Sequence, residues 1–172
     1  DIYCDYRPGM GTGQAERYAL FARDNGAGAL GLSSTFGPGN CYAITFDSDT
    51  GRVRAASYVN GTISDFLPAP LHMPSTAWRR FRIECRGAQI RYLVDGAVIA
   101  DVTDATHPRG CYGIGYHEFF TNNANMRGTR ADNFSAVSMA APGRATNPSP
   151  ADLAVRVPLT AQLSWSPAPD AD

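Results

Sequence analysis

Between residues 78 and 86 apolar and charged side chains take turns. Phe81, Ile83 and Cys85 fall on one side, and Arg80, Arg82 and Glu84 on the other. Successive side chains of an extended backbone point to opposite faces, so this spacing predicts a strand with one dry and one wet face. Short β-branched and aromatic runs recur at residues 17–23, 41–46, 53–59, 89–94, 98–102, 112–116 and 133–138, and residues 1–7 read as a further strand. Turn signals separate them: Pro8-Gly9, Asn25-Gly26, Gly37-Pro38-Gly39, Asp49-Thr50-Gly51, Asn60-Gly61, Asp95-Gly96 and Arg109-Gly110. Short strands punctuated this way describe an all-β sandwich. Residues 79–102, interrupted at Arg86-Gly87 and Asp95-Gly96, read as a three-stranded meander closed by tight hairpins. Pro68, Pro70 and Pro74 make residues 65–76 a crossover loop. No helical period persists beyond two turns.

Near residue 140 the pattern changes. Residues 140–158 are proline-rich and read as a linker, and 159–172 hold one isolated strand-like run at 161–166. One strand buries no core of its own.

Composition narrows the function classes. The 172-residue chain is 44% apolar and 18% charged, as a globular domain is. A net charge of −1 and a pI near 6.3 leave no basic footprint, so no nucleic-acid partner is expected. No apolar run approaches the roughly 18–20 residues that span a bilayer, so no membrane partner is expected either. All 15 basic residues are Arg, which excludes lysine Schiff-base chemistry. Asp greatly outnumbers Glu, and Asp belongs to turns and caps rather than to helix surfaces.

Cys4, Cys41, Cys85 and Cys111 are too far apart in sequence for a zinc ribbon or a redox pair. They are read as disulfide candidates with the pairing open, and the sequons at Asn60 and Asn133 as glycosylation candidates. Both point to an extracellular, secreted or cell-surface setting.

Candidate catalytic chemistry is sparse. Glycoside hydrolysis needs two carboxyls about 5–9 Å apart, and Glu16, Glu84 and Glu118 form no such pair in sequence. Glu84, set among arginines, is expected to be an ion-pair partner, and Asp47 and Asp49 to shape a hairpin tip. His72, His107 and His117 are expected in solvated loops, and no Gly-x-Ser-x-Gly elbow is present. The chain is therefore read as non-catalytic. Calcium accepts scattered loop oxygens. The candidates for a structural ion are Asp24 with Asn25, Asp101 with Asp104, and Asp132 with Asn133. A sugar needs an aromatic platform beside planar polar groups, and the segment Tyr116, Phe119, Phe120, Asn122, Asn123, Asn125 and Arg127 carries both.

Several of these segments resemble a known family. Tyr18-Ala-Leu-Phe-Ala-Arg23 and Cys41-Tyr-Ala-Ile-Thr-Phe-Asp47 are similar to the paired middle strands of laminin-G-like, concanavalin A-like domains of secreted bacterial multidomain proteins. So is the order Trp78-Arg-Arg-Phe-Arg-Ile-Glu84, Ile90-Arg-Tyr-Leu-Val-Asp-Gly96, Asp101-Val-Thr-Asp104, Gly110-Cys-Tyr-Gly-Ile-Gly115 and Ala131-Asp-Asn-Phe134. The resemblance covers about residues 1–139. It implies a two-sheet antiparallel jelly-roll sandwich acting as a binding or adhesion module, with a glycan or a cell-surface or matrix component as partner. Family members usually carry one or two strands ahead of the segment matching residues 1–7, and these are missing. Pro148-Ser-Pro-Ala-Asp152, Val157-Pro-Leu159 and Leu163-Ser-Trp-Ser-Pro167 resemble the lead-in of an immunoglobulin-like module.

Two further expectations stand beside the binding module. An unpaired sheet edge and a homeless tail strand would suit a filament subunit that forms a homo-polymer by strand addition. A polysaccharide-degrading enzyme could use such a domain as an accessory.

Overall fold

The computed structural model describes residues 1–8, 17–26, 39–117, 130–137, 146–149 and 164–166. These residues form strands and no helix. In chain order the strands are β1 (Ile2–Cys4), β2 (Arg17–Asp24), β3 (Cys41–Asp47), β4 (Arg52–Val59), β5 (Thr62–Asp65), β6 (Leu71–His72), β7 (Ala77–Arg79), β8 (Phe81–Arg86), β9 (Gln89–Val94), β10 (Ala97–Thr103), β11 (Cys111–His117), β12 (Arg130–Ala131), β13 (Thr146–Ser149) and β14 (Ser164–Ser166). The chain divides into two compact units, Asp1–Ser135 and Ala136–Asp172.

Every pairing is antiparallel. The largest sheet runs β11-β2-β3-β4-β5, with β6 also on β4, while β10-β9-β8 and β12-β1-β7 form two smaller sheets. The β8–β10 meander is the one its turns predict. Asn60-Gly61 and Asp95-Gly96 close their hairpins with both residues at positive φ, 49° and 82° in the first and 51° and 84° in the second. Asparagine, aspartate and glycine tolerate that region best, which is why these dipeptides mark tight hairpins.

The core lies between the large sheet and the smaller ones. Tyr42, Ile44 and Phe46 of β3 and Val53 and Ala55 of β4 meet Ile2 and Cys4 of β1, Phe81 of β8, Ile90, Tyr92 and Val94 of β9, and Ala100 of β10. The Tyr92 hydroxyl crosses between sheets to donate to the Ala56 carbonyl at 3.1 Å. Strand β3 is buried on both faces: Cys41 and Ala43 join Ala19, Ala56 and Tyr58 in a second cluster on the opposite side. Its near-continuous apolar run is what a doubly buried strand requires.

Several boundaries differ from the sequence reading. The single strand expected over 78–86 is broken at Arg80. There the N–H donates to the Asp95 carboxylate at 2.8 Å instead of to a ladder carbonyl, because Asp95 is already turning the hairpin. The strand expected over 133–138 does not form through residue 137. Asn133 takes φ 52° and donates its N–H to the Asp132 carboxylate, which bends the chain out of the ladder after β12. Within the proline-rich crossover, Leu71 and His72 pair with Val53 and Arg52, the stretch of β4 that β5 is too short to cover. Strand β1 has partners on both sides, β12 and β7. In the second unit, Ser164–Ser166 pairs with Thr146–Ser149, inside the segment read as linker, so the tail strand is not isolated. Thr-Asn-Pro-Ser lacks the β-branched alternation that marks strands, and its proline suits only a short edge strand.

The disulfide expectation is corrected. All four cysteines are free thiols. Cys4 lies in the core between sheets, Cys41 points to the opposite side of β3, Cys85 is half-buried beside the core, and Cys111 is exposed. No two of them lie at disulfide distance, and geometry decides a disulfide, whereas spacing along the chain does not. Burial pushes the thiols of Cys4 and Cys41 up to about 12, so neither supplies thiolate at neutral pH. With a thiol-reactive dye, Cys111 is expected to react fast in the native protein and the other three only after unfolding. A melting temperature that falls on adding a thiol reductant would contradict this arrangement.

Candidate functional site

Trp78 on β7 lies near Arg80 and Arg82, and strand pairing adds aromatic and cationic neighbours. Tyr3 lies directly opposite Trp78 on one side and opposite Arg130 on the other, so one row crosses β12, β1 and β7. The Tyr3 and Trp78 rings meet edge-to-face with centroids 5.4 Å apart, and the Arg130 guanidinium sits over Tyr3 at 4.7 Å. Such aromatic and cation–π contacts fix the row's geometry. Trp78 remains 49% exposed. Beside it lies an open groove of about 480 Å³ lined by Asp1, Trp78, Arg79, Arg80, Arg82, Leu93, Asp95 and Gly96.

The hairpin at Asp95 organises the charged part. Its carboxylate accepts the Arg80 N–H at 2.8 Å and an Arg79 guanidinium N–H at 2.9 Å. Partial burial pulls the Asp95 carboxyl upward, but the Arg80 amide and the Arg79 guanidinium outweigh it and hold it below the usual range. Arg80 Nε donates to Asp1 at 2.9 Å, and Arg82 pairs with Glu84 at 2.8 Å. The side chains of Arg80 and Arg82 are nevertheless 72% and 63% exposed. Glu84 also accepts from Arg91 at 3.0 Å, the ion-pair role its arginine neighbours predict. An exposed indole, forked donors and paired carboxylates suit a flat, hydroxylated ring: the apolar face stacks and the edge hydrogen-bonds.

A second polar constellation is buried. His107, expected in solvent, is 6% exposed. Its Nε2 lies 3.3 Å from Ser57 Oγ, its ring meets Tyr42 edge-to-face at 4.8 Å, and its backbone N–H donates to the Tyr42 hydroxyl at 3.2 Å. The Tyr42 hydroxyl donates to Asp104 at 2.7 Å. Arg23 donates to the carbonyls of His107 and Gly87. Burial lowers the His107 pKa, opposed by a bond to the Tyr58 backbone and by the charges of Asp104 and Asp24. Serine and histidine adjoin here, yet Ser57 is 2% exposed. This network pins the loop from Asp104 to Gly110 onto β3 and β4, and the correction has a plain cause: the loop folds inward over Tyr42.

The sequence-derived candidates are scattered. Of the aromatic and asparagine segment, Tyr116 pairs through its backbone with Tyr18. Phe119, Phe120, Asn122, Asn123, Asn125 and Arg127 lie outside the described residues. Among the calcium candidates, Asp24 accepts from the Gly26 N–H, Asp101 from Gln89, Asp104 from Tyr42 and Thr106, and Asp132 from Asn133. Among the described residues no three metal-ligating side chains converge. Asn60 and Asn133 are both exposed.

Trp78, Tyr3, Arg80, Arg82, Arg130 and Asp95 were not foreseen as a site. One signal was available: a tryptophan at the wet-face spacing of Arg80 and Arg82. Compared with family models, curated proteins and solved structures, the chain matches none.

Proposed function

We propose that the first unit is a non-catalytic carbohydrate-binding module of an extracellular protein, built as a jelly-roll sandwich of laminin-G-like type, and that it holds its ligand on the Trp78 platform. The observation that carries this reading is a half-exposed indole locked by Tyr3 at the rim of a groove lined by arginines and aspartates. A tryptophan kept for packing alone would bury its ring in the core, where burial of an aromatic is most favourable. Here the core closes without it, and the ring is held by a neighbouring strand at the surface. Preorganised aromatic surface of this kind loses little conformational entropy on binding.

The test is a glycan array followed by calorimetry on the hits. Trp78→Ala is expected to weaken binding by at least about tenfold, as loss of a central aromatic contact does, while the melting temperature stays near that of the parent. Binding that survives Trp78→Ala unchanged overturns the platform.

A further inference from the structure

Resting on that reading, we infer that the groove takes a carboxylate-bearing sugar, a hexuronate within a polysaccharide, in preference to a neutral one. A neutral sugar's hydroxyls both donate and accept, so a site built for it offers open acceptors as well as donors. In this groove each carboxylate oxygen of Asp95 and Asp1 already receives a protein donor. Both oxygens of Asp95 receive protein N–H groups, one from the Arg80 backbone and one from the Arg79 side chain. Asp1 receives Arg80 through both oxygens, at 2.9 and 3.5 Å, and Asn133 at 3.4 Å.

Donors, by contrast, are in surplus. Arg80 and Arg82 each carry five donors, and their heads stay largely exposed after pairing with Asp1 and Glu84. A ligand that only accepts completes this set, and a carboxylate is acceptor-only with a planar edge matched to guanidinium forks. Trp78 takes the sugar ring, and the neighbouring arginines take its carboxylate.

The experiment compares oligogalacturonate and oligoguluronate with the same chains after carboxyl reduction, which keeps the linkage and removes only the charge. Titration calorimetry of the full chain is expected to show each uronate binding at least about tenfold more tightly than its reduced partner, the scale of a charged hydrogen bond. Arg82→Gln should shrink that ratio, and thermal melts confirm that the variant folds. Equal affinity for charged and reduced chains overturns the carboxylate preference and leaves the glycan platform standing. Binding of neither chain to the parent protein overturns this inference, and binding of both that persists in Trp78→Ala overturns the platform itself and this inference with it.

Discussion

Tyr92→Ala is expected to destabilise the first unit by about 3–5 kcal/mol, the range for removing a large aromatic from a packed core. The ring is fully buried, tilts against Phe66 at 5.9 Å, and reaches across the sandwich to the Ala56 carbonyl. Truncation therefore opens a cavity between sheets and strips a donor from β4 at the same time. Tyr92→Phe separates the two effects: it keeps the ring and removes only the cross-sheet hydrogen bond, so it should cost about 0.5–1.5 kcal/mol. Urea titrations followed by circular dichroism measure both. A Tyr92→Ala cost below about 1 kcal/mol, typical of a surface change, would mean that the sheets do not pack face to face through β9.

The second large effect concerns acid. The folded-state pKa of His107 lies below its ordinary value of 6.5, first because of burial. A group whose pKa is depressed on folding binds its proton more readily in the unfolded chain. Its contribution is therefore fully present above pH 6.5 and is lost as pH falls below it. The groups facing the ring are Tyr42 on β3, Ser57 and the Tyr58 backbone on β4, Asp104 on its own loop, and Arg23 and Asp24 on β2. The two carboxylates temper the shift without reversing it. Asp104 is itself held below the usual carboxylate range: burial raises it, and bonds from Thr106 and Tyr42 outweigh that. Its own loss of stability thus begins only at lower pH, below the histidine window. Melting temperature is expected to fall between about pH 7 and pH 5 in the parent protein. In His107→Gln that limb should flatten, with the protein less stable at neutral pH because Ser57 and the Tyr58 carbonyl lose their buried partner. An identical slope in parent and variant would remove His107 as the titrating group.

Residues whose role depends on a neighbour two positions away were legible from the start. Phe81, Ile83 and Cys85 face inward as their alternation requires, and Asp95-Gly96 turns where its backbone preference demands. Glu84 met the arginines written around it. The misreadings share one cause. His107 sits in a loop by sequence and in the core by structure, because Tyr42, 65 positions away, folds beneath it. The four cysteines were read as disulfide candidates, yet no two of them lie at disulfide distance.

The candidate site shows the same divide. Trp78, Arg80 and Arg82 are spaced two apart in sequence, but the break at Arg80 separates β7 from β8, and the fold brings all three to one groove. Tyr3 and Arg130 join them only because β1 is paired on both sides, bringing together residues far apart in the chain. By itself the amino-acid order determined that the described residues form strands, where most of them turn, and which side of the 81–86 strand is dry, because a period of two is set by the local geometry of an extended backbone. Which strands lie side by side, and so which aromatic ring meets which guanidinium, was decided only in three dimensions. Hydrogen-bonded pairing between distant segments depends on burying a shared core, and no short stretch of sequence encodes that.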